Sequence, residues 1–226
     1  MKKVFLCLLP AALLTGCASA ERSSPAADTS GALISEKREM EMGKNVSLEV
    51  LKEFSAYEDP EVNAYVNRVG QAVAKVSERT NIPYRFTVLD HPVVNAFAAP
   101  GGYIFVTRGL LSSVKSEAQL AAILGHEVGH VVERHAMKRL QAQAATLLVQ
   151  IAGAVKGMGA RDMSAASDMA SLIFLGYDRE DEYHADALGV KYAYAAGYDP
   201  NEMTGFFEVL RKKQEEAGFA EPSGQQ

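Results

Sequence analysis

Read for the spacing of its apolar positions, the chain opens on helices, turns to short strands and then returns to helix. Over residues 35–57, Met40, Val46, Val50, Leu51 and Phe54 recur at helical intervals and are the expected inward positions. Asp59-Pro60 reads as a cap followed by proline at the first helical position. Val62, Tyr65, Val66, Val69, Val73 and Val76 then mark a second helix, which Arg79 to Pro83 ends. Between Tyr84 and Thr107 the period falls to two. Tyr84, Phe86 and Val88 mark one strand, Val93 to Ala98 a second and Tyr103 to Thr107 a third. The turn cluster Ala99-Pro100-Gly101-Gly102 joins the last two, and His91 falls in a loop.

Ser116 and Gln119 form a capping box, S-x-x-Q, ahead of Leu120, Ile123, Leu124, Val128 and Val131. Helical, alanine-rich sequence follows His135, from Leu140 to Val155 and from Met163 to Leu175, divided by Lys156-Gly157-Met158-Gly159. The run from Ala144 to Val155 is too short to cross a bilayer. Asp178 caps a further helix through Ala196, closed by Gly197, and Asp199-Pro200 starts a last one to about Ala217. The pattern predicts an α+β fold, mostly helical, with a small sheet just before the helix at 120–135.

Composition narrows the partners. The 226 residues carry a net charge of −5 and are 48% hydrophobic, enough for a core and wrong for nucleic acid. At the start, Lys2 and Lys3 precede an apolar stretch from Val4 to Leu14, and Leu14-Thr15-Gly16-Cys17 resembles a bacterial lipobox. That resemblance implies a signal peptide over residues 1–16 and a lipid on Cys17. An ordinary signal cut after Ala18 or Ala20 is the alternative. Cleavage before Cys17 also removes Cys7, leaving no disulfide partner. Ala18 stands where an inner-membrane retention signal would carry Asp, so the expected location is the outer membrane, facing the periplasm. Residues 17–33 read as a flexible tether, 34–218 as the folded domain and 219–226 as a disordered tail.

The chemistry concentrates in LAAILGHEVGHVVERH, residues 120–135. His126 and His130 are four apart and share one helix face, where two imidazoles can take two corners of a zinc tetrahedron. Glu127 stands beside them, placed to pull a proton from a water at the metal. Gly125 and Gly129 cost about 1 kcal/mol each inside a helix and point to a close approach by another backbone or a substrate. The third ligand has two candidates. Glu133 lies on the same helix, where it closes poorly around a tetrahedral ion. Glu182 lies in Asp178-Arg179-Glu180-Asp181-Glu182-Tyr183-His184-Ala185-Asp186, with Asp186 one turn on. Asp186 could accept the outer N–H of a ligand histidine. At 100° per residue, His135 points about 180° from His126 and His184 about 200° from Glu182, so neither is expected to reach the metal.

H-E-x-G-H followed about fifty residues later by R-x-x-E-x-x-A-D (Arg179, Glu182, Ala185, Asp186) resembles the gluzincin peptidases related to the CAAX prenyl protease and the heat-shock membrane protease HtpX. Asn95-Ala96-Phe97-Ala98 through Pro100-Gly101-Gly102 is similar to that family's substrate-edge strand. The resemblance implies a zincin-like metalloprotease domain with one zinc ion on His126, His130 and Glu182, and Glu127 as base. It also implies substrate contacts at Asn95, Phe97 and Ala98. Arg179 and Tyr183 are candidates for stabilising the oxyanion. With the lipobox, the likeness is to small periplasmic lipoproteins that hydrolyse unfolded or misfolded envelope proteins. The alternatives are a non-catalytic chaperone or adaptor that keeps the fold, and a metal-dependent hydrolase of other substrates.

Overall fold

The computed structural model describes residues 34–142, 177–199 and 201–202, all within a unit that begins at Ile34. The expectations for the leader, Cys17 and the tether lie outside the described residues. So do those for the alanine-rich helices beyond residue 142, the helix after Pro200 and the tail. Among the described residues no helix is long and apolar enough to cross a membrane.

Helix α1 runs Glu36–Glu53 and α2 runs Pro60–Ala74, the latter opened by Asp59, whose carboxylate accepts from the N–H groups of Glu61 and Val62. Strands β1 (Arg85–Leu89), β2 (Ala96–Ala99) and β3 (Tyr103–Thr107) form one sheet in the order β1-β3-β2. β3 pairs parallel with β1 and antiparallel with β2. A four-residue helix α3 (Arg108–Leu111), the long α4 (Glu117–Val132) and α5 (Arg179–Ala195) complete the labelled elements. The fold is α+β and mostly helical, with the small sheet against α4.

Period-two alternation sorts the sheet into two faces. Phe86, Val88, Ala98, Ile104 and Val106 pack with Val66, Val69 and Val73 of α2 and Leu120, Leu124 and Val128 of α4. Leu89, Phe97, Ala99 and Phe105 pack with Val46 and Val50 of α1. Both faces are covered, which is why β3 reads as an unbroken apolar run, YIFVT, rather than as alternation.

Several boundaries differ from the periodic reading. α1 stops at Glu53 because Phe54 turns to extended backbone and Ala56 bridges to Leu89. Its buried face is Glu39, Gly43, Val46, Ser47 and Val50, while Leu51 is exposed. A charged residue therefore takes a place that the apolar pattern assigned elsewhere. Val76 lies past the end of α2 and is exposed. β2 begins at Ala96, not Val93: Thr107 N still bonds Asn95 O, but Asn95 N turns to the Thr107 hydroxyl, which also reaches Val93 O.

The largest departure is at the end of α4. The helix does not run on through His135; it ends at Val132, and Arg134 adopts φ 56° before a new helical run over residues 135–142. The cause is a buried ionic cluster. Arg79 holds Glu39 with two bonds of 2.9 Å and also donates to Val131 O at 2.9 Å, taking a carbonyl from the last turn of α4. Arg134 Nε sits 2.9 Å from Glu39, and its Nη2 donates to Ile34 O at 2.7 Å. These contacts, an ion pair through Nε and a hydrogen bond through Nη2, hold a left-handed residue that the local sequence alone disfavours.

Candidate metal centre

α4 is placed by its own apolar residues. Ser116 Oγ accepts from Gln119 N, and the Gln119 side chain reaches back to Lys115 N, one residue before the cap. Leu120, Leu124 and Val128 lie in the core, which turns His126 and His130 toward α5. Helix α5 is capped by Asp178, whose side chain accepts from Asp181 N. It then crosses α4 on a seam of small residues. A Cβ added at Gly125 would stand 2.9 Å from Gly189 O, one at Gly189 2.9 Å from His126 N, and one at Gly129 3.2 Å from Ala185 Cα. The two costly glycines of α4 are thus explained by helix-to-helix approach.

That approach brings Glu182 to the two histidines. His126 Nε2 and His130 Nε2 are 3.0 Å apart, and the Glu182 carboxylate oxygens lie 3.5 and 3.7 Å from them. Ligand atoms at about 2.0–2.1 Å from a tetrahedral zinc stand about 3.3–3.4 Å from one another, so these separations bracket the required edge. Asp186 Oδ1 is 2.8 Å from His126 Nδ1, which fixes the proton on Nδ1 and leaves Nε2 bare. Two ring nitrogens facing each other at 3.0 Å, with a carboxylate beside them, call for a positive charge between them, a proton or a metal ion. The donor set fits zinc. Glu133 does not join this group; it pairs with Lys138 at 3.2 Å.

The electrostatics agree. Burial acts to lower the His126 imidazole, but its bonds to Asp186 and Glu182 and the nearby Glu127 outweigh it and raise it to about 10. Burial, then the charges of His126 and His135, push His130 down to about 2. Three carboxylates (Glu127, Glu182 and Asp186) thus surround the pair and favour positive charge at its centre. Glu127 is itself buried, which raises its carboxyl to about 7 against the attraction of His126. Its Oε2 is buried with no partner among the described residues, while the Ala98 backbone bonds the carboxylate.

β2 borders this pocket as an edge strand among the described residues, pairing with β3 only. Thr107 N donates to Asn95 O, so alternation turns the backbone groups of Asn95 and Phe97 inward and those of Ala96 and Ala98 toward the free edge. The Phe97 ring stacks on Phe105 at 5.1 Å, beneath the sheet. Arg179 and Tyr183 are exposed, Tyr183 by 72%, and project into solvent. His91 stays in its loop, edge-on to Phe54 at 5.3 Å.

Two residues that the sequence reading set aside or passed over touch the centre. Tyr177 stacks on His130 at 4.0 Å and donates to Ala98 O at 3.3 Å. Burial, with Glu127 nearby, raises its phenol, keeping it a donor. His135, expected to point away, is fully buried with Nδ1 2.8 Å from His130 Nδ1. The 180° estimate assumed one continuous helix, and the break at Arg134 turns the ring back. No periodicity marks either residue.

Residues 60–223 match peptidase family M48. The chain is 25% identical over 225 residues to the beta-barrel assembly-enhancing protease of Escherichia coli K12, covering 93% of this chain and 46% of that protein. It is 30% identical over 181 residues to the mitochondrial metalloendopeptidase OMA1 of Arabidopsis thaliana, 77% of this chain and 36% of that one. Against OMA1 of Schizosaccharomyces pombe it is 30% identical over 189 residues, 80% of this chain and 55% of the relative. The chain therefore spans about half or less of the length of these relatives.

Proposed function

Because the chain belongs to peptidase family M48, we propose that it is a zinc metalloendopeptidase that cleaves unfolded or misfolded proteins of the bacterial envelope. The observation that carries this reading is the convergence of His126 Nε2, His130 Nε2 and Glu182 at separations of 3.0, 3.5 and 3.7 Å, close to a tetrahedral edge, with buried Glu127 alongside. Zinc on those three residues would polarise a scissile carbonyl and make water a stronger acid.

The chain's own groups do the rest. Glu127, raised toward neutrality by burial, takes the proton of the attacking water and passes it to the leaving amine. The outward backbone groups of Ala96 and the carbonyl of Ala98 receive an extended substrate as an added strand, while the Ala98 N–H stays on Glu127. Main-chain bonds of that kind favour unfolded segments over folded ones and read sequence loosely. Tyr177, already on Ala98 O, gives up that bond as the strand enters. The names of the bacterial relatives support an envelope location, and the lipobox supports an anchor on Cys17 at the outer membrane.

Incubating the purified chain with an unfolded protein tests the reading: cleavage should appear with zinc and vanish with a chelator. Glu182→Ala should cut zinc occupancy sharply while Glu133→Ala leaves it intact. The reverse order would move the third ligand onto α4. Cys17→Ser should shift the protein from membrane to soluble fractions.

A further inference from the structure

His126 and His130 are supported differently from behind. A carboxylate, Asp186, takes the outer nitrogen of His126 directly. The outer nitrogen of His130 meets another histidine. Two ring nitrogens at 2.8 Å share a single proton, so the pair has two possible arrangements. In one, His135 donates and His130 carries its own proton on Nε2, pointing it at His126 Nε2 and Glu182. In the other, His130 donates from Nδ1, and its Nε2 is bare. His135 then accepts on Nδ1 and carries its proton on Nε2, 3.1 Å from Asp181 Oδ1, a contact close enough for a hydrogen bond though not aligned as one. Only the second arrangement leaves His130 able to ligate.

We infer that His135 is a positioning residue: it accepts the Nδ1 proton of His130, holds that ring in its ligating tautomer, and is itself oriented by the Asp181 carboxylate. The inference concerns which nitrogen holds the proton, not whether either ring is charged. It rests on the reading of His126, His130 and Glu182 as the metal ligands. The geometry is built for it. His135 is fully buried, and its ring arrives there only because the Glu39, Arg79 and Arg134 cluster breaks the helix one residue before it. The same arrangement decides a second question. Glu133, His135 and His184 also bring possible ligand atoms within 4.8 Å of one another. A His135 ring with its proton on Nε2 and its lone pair engaged by His130 has no free nitrogen for another ion.

The test measures zinc affinity in the full chain by competition with a chromophoric chelator. His135→Leu fills the buried space but cannot accept a proton, and should weaken zinc about 10–100-fold. His135→Asn sets an amide oxygen where Nδ1 stood and should recover affinity to within about threefold of wild type. Packing alone would rank leucine level with or above asparagine. Asp181→Asn should fall between wild type and His135→Leu. Long-range proton–nitrogen correlation of the zinc-loaded wild type supplies a readout independent of folding in any variant. The proton should sit on Nδ1 of His130 and on Nε2 of His135. A proton on His135 Nδ1, or a folded His135→Leu chain that binds zinc like wild type, overturns the inference. So does a second zinc per chain that is lost in His184→Ala. Wild-type protein that binds no zinc would instead sink the ligand assignment beneath it.

Discussion

α4 and α5 meet along one seam and share one centre, yet they are held by opposite means. α4 is buried on nearly every side, from Gln119 to Val131, so the core determines where His126 and His130 point. α5 buries only Ala185, Gly189, Tyr192 and Ala193. Its outer face is polar, and its position depends on the small-residue seam and on the bonds of Lys191 and Tyr192 to Glu78. The lesson is a division of labour: one helix carries two of the proposed ligands, whose positions packing over-determines, and the other carries the proposed third, whose reach depends on close approach.

The sharpest way to separate chemistry from packing is Glu127→Gln on the buried helix. Amide and carboxylate are near in size, so fold and zinc content should persist while turnover falls about 10²–10⁴-fold. Near wild-type turnover would remove Glu127 from the base role.

Glu39→Ala strikes the anchor of α4 from a distance. It leaves Arg79 and Arg134 without their buried partner, and unfolding free energy should drop by about 3–5 kcal/mol. Chemical denaturation measures this directly, and a loss under 1 kcal/mol would mean that the cluster is solvated rather than structural.

On α5, Asp186→Ala should weaken zinc about 10–100-fold through loss of the His126 support, with little change in denaturation midpoint. If stability falls as much as affinity, Asp186 serves the fold and not the ligand.

A test of comparable size sits on the seam itself. Gly189→Ala puts a methyl 2.9 Å from His126 N and should cost about 1–3 kcal/mol by pushing α5 outward. Zinc affinity should fall with it, because Glu182 rides on α5. An unchanged affinity would show that the third ligand tolerates helix displacement, so that α5 need not be held as closely as α4.

Much of this was readable along the chain because it is local. A helix periodicity of 3.6 puts His126 over His130 whatever surrounds them. Asp59, Ser116 and Asp178 cap their helices through bonds made within three residues. The paired motifs carried Glu182 and Asp186 as candidates in the same way. What the linear pattern could not decide was everything that depends on two segments meeting. Glu182 rather than Glu133 lies with the histidines because Gly125, Gly129 and Gly189 let two backbones approach, a property of the pair and not of either helix. Among the described residues β2 lies at an edge because β3 takes the middle of the sheet, an order that alternation does not encode. His135 faces the centre because Glu39 and Arg79, distant in sequence, hold Arg134 in a conformation that a continued helix would have forbidden.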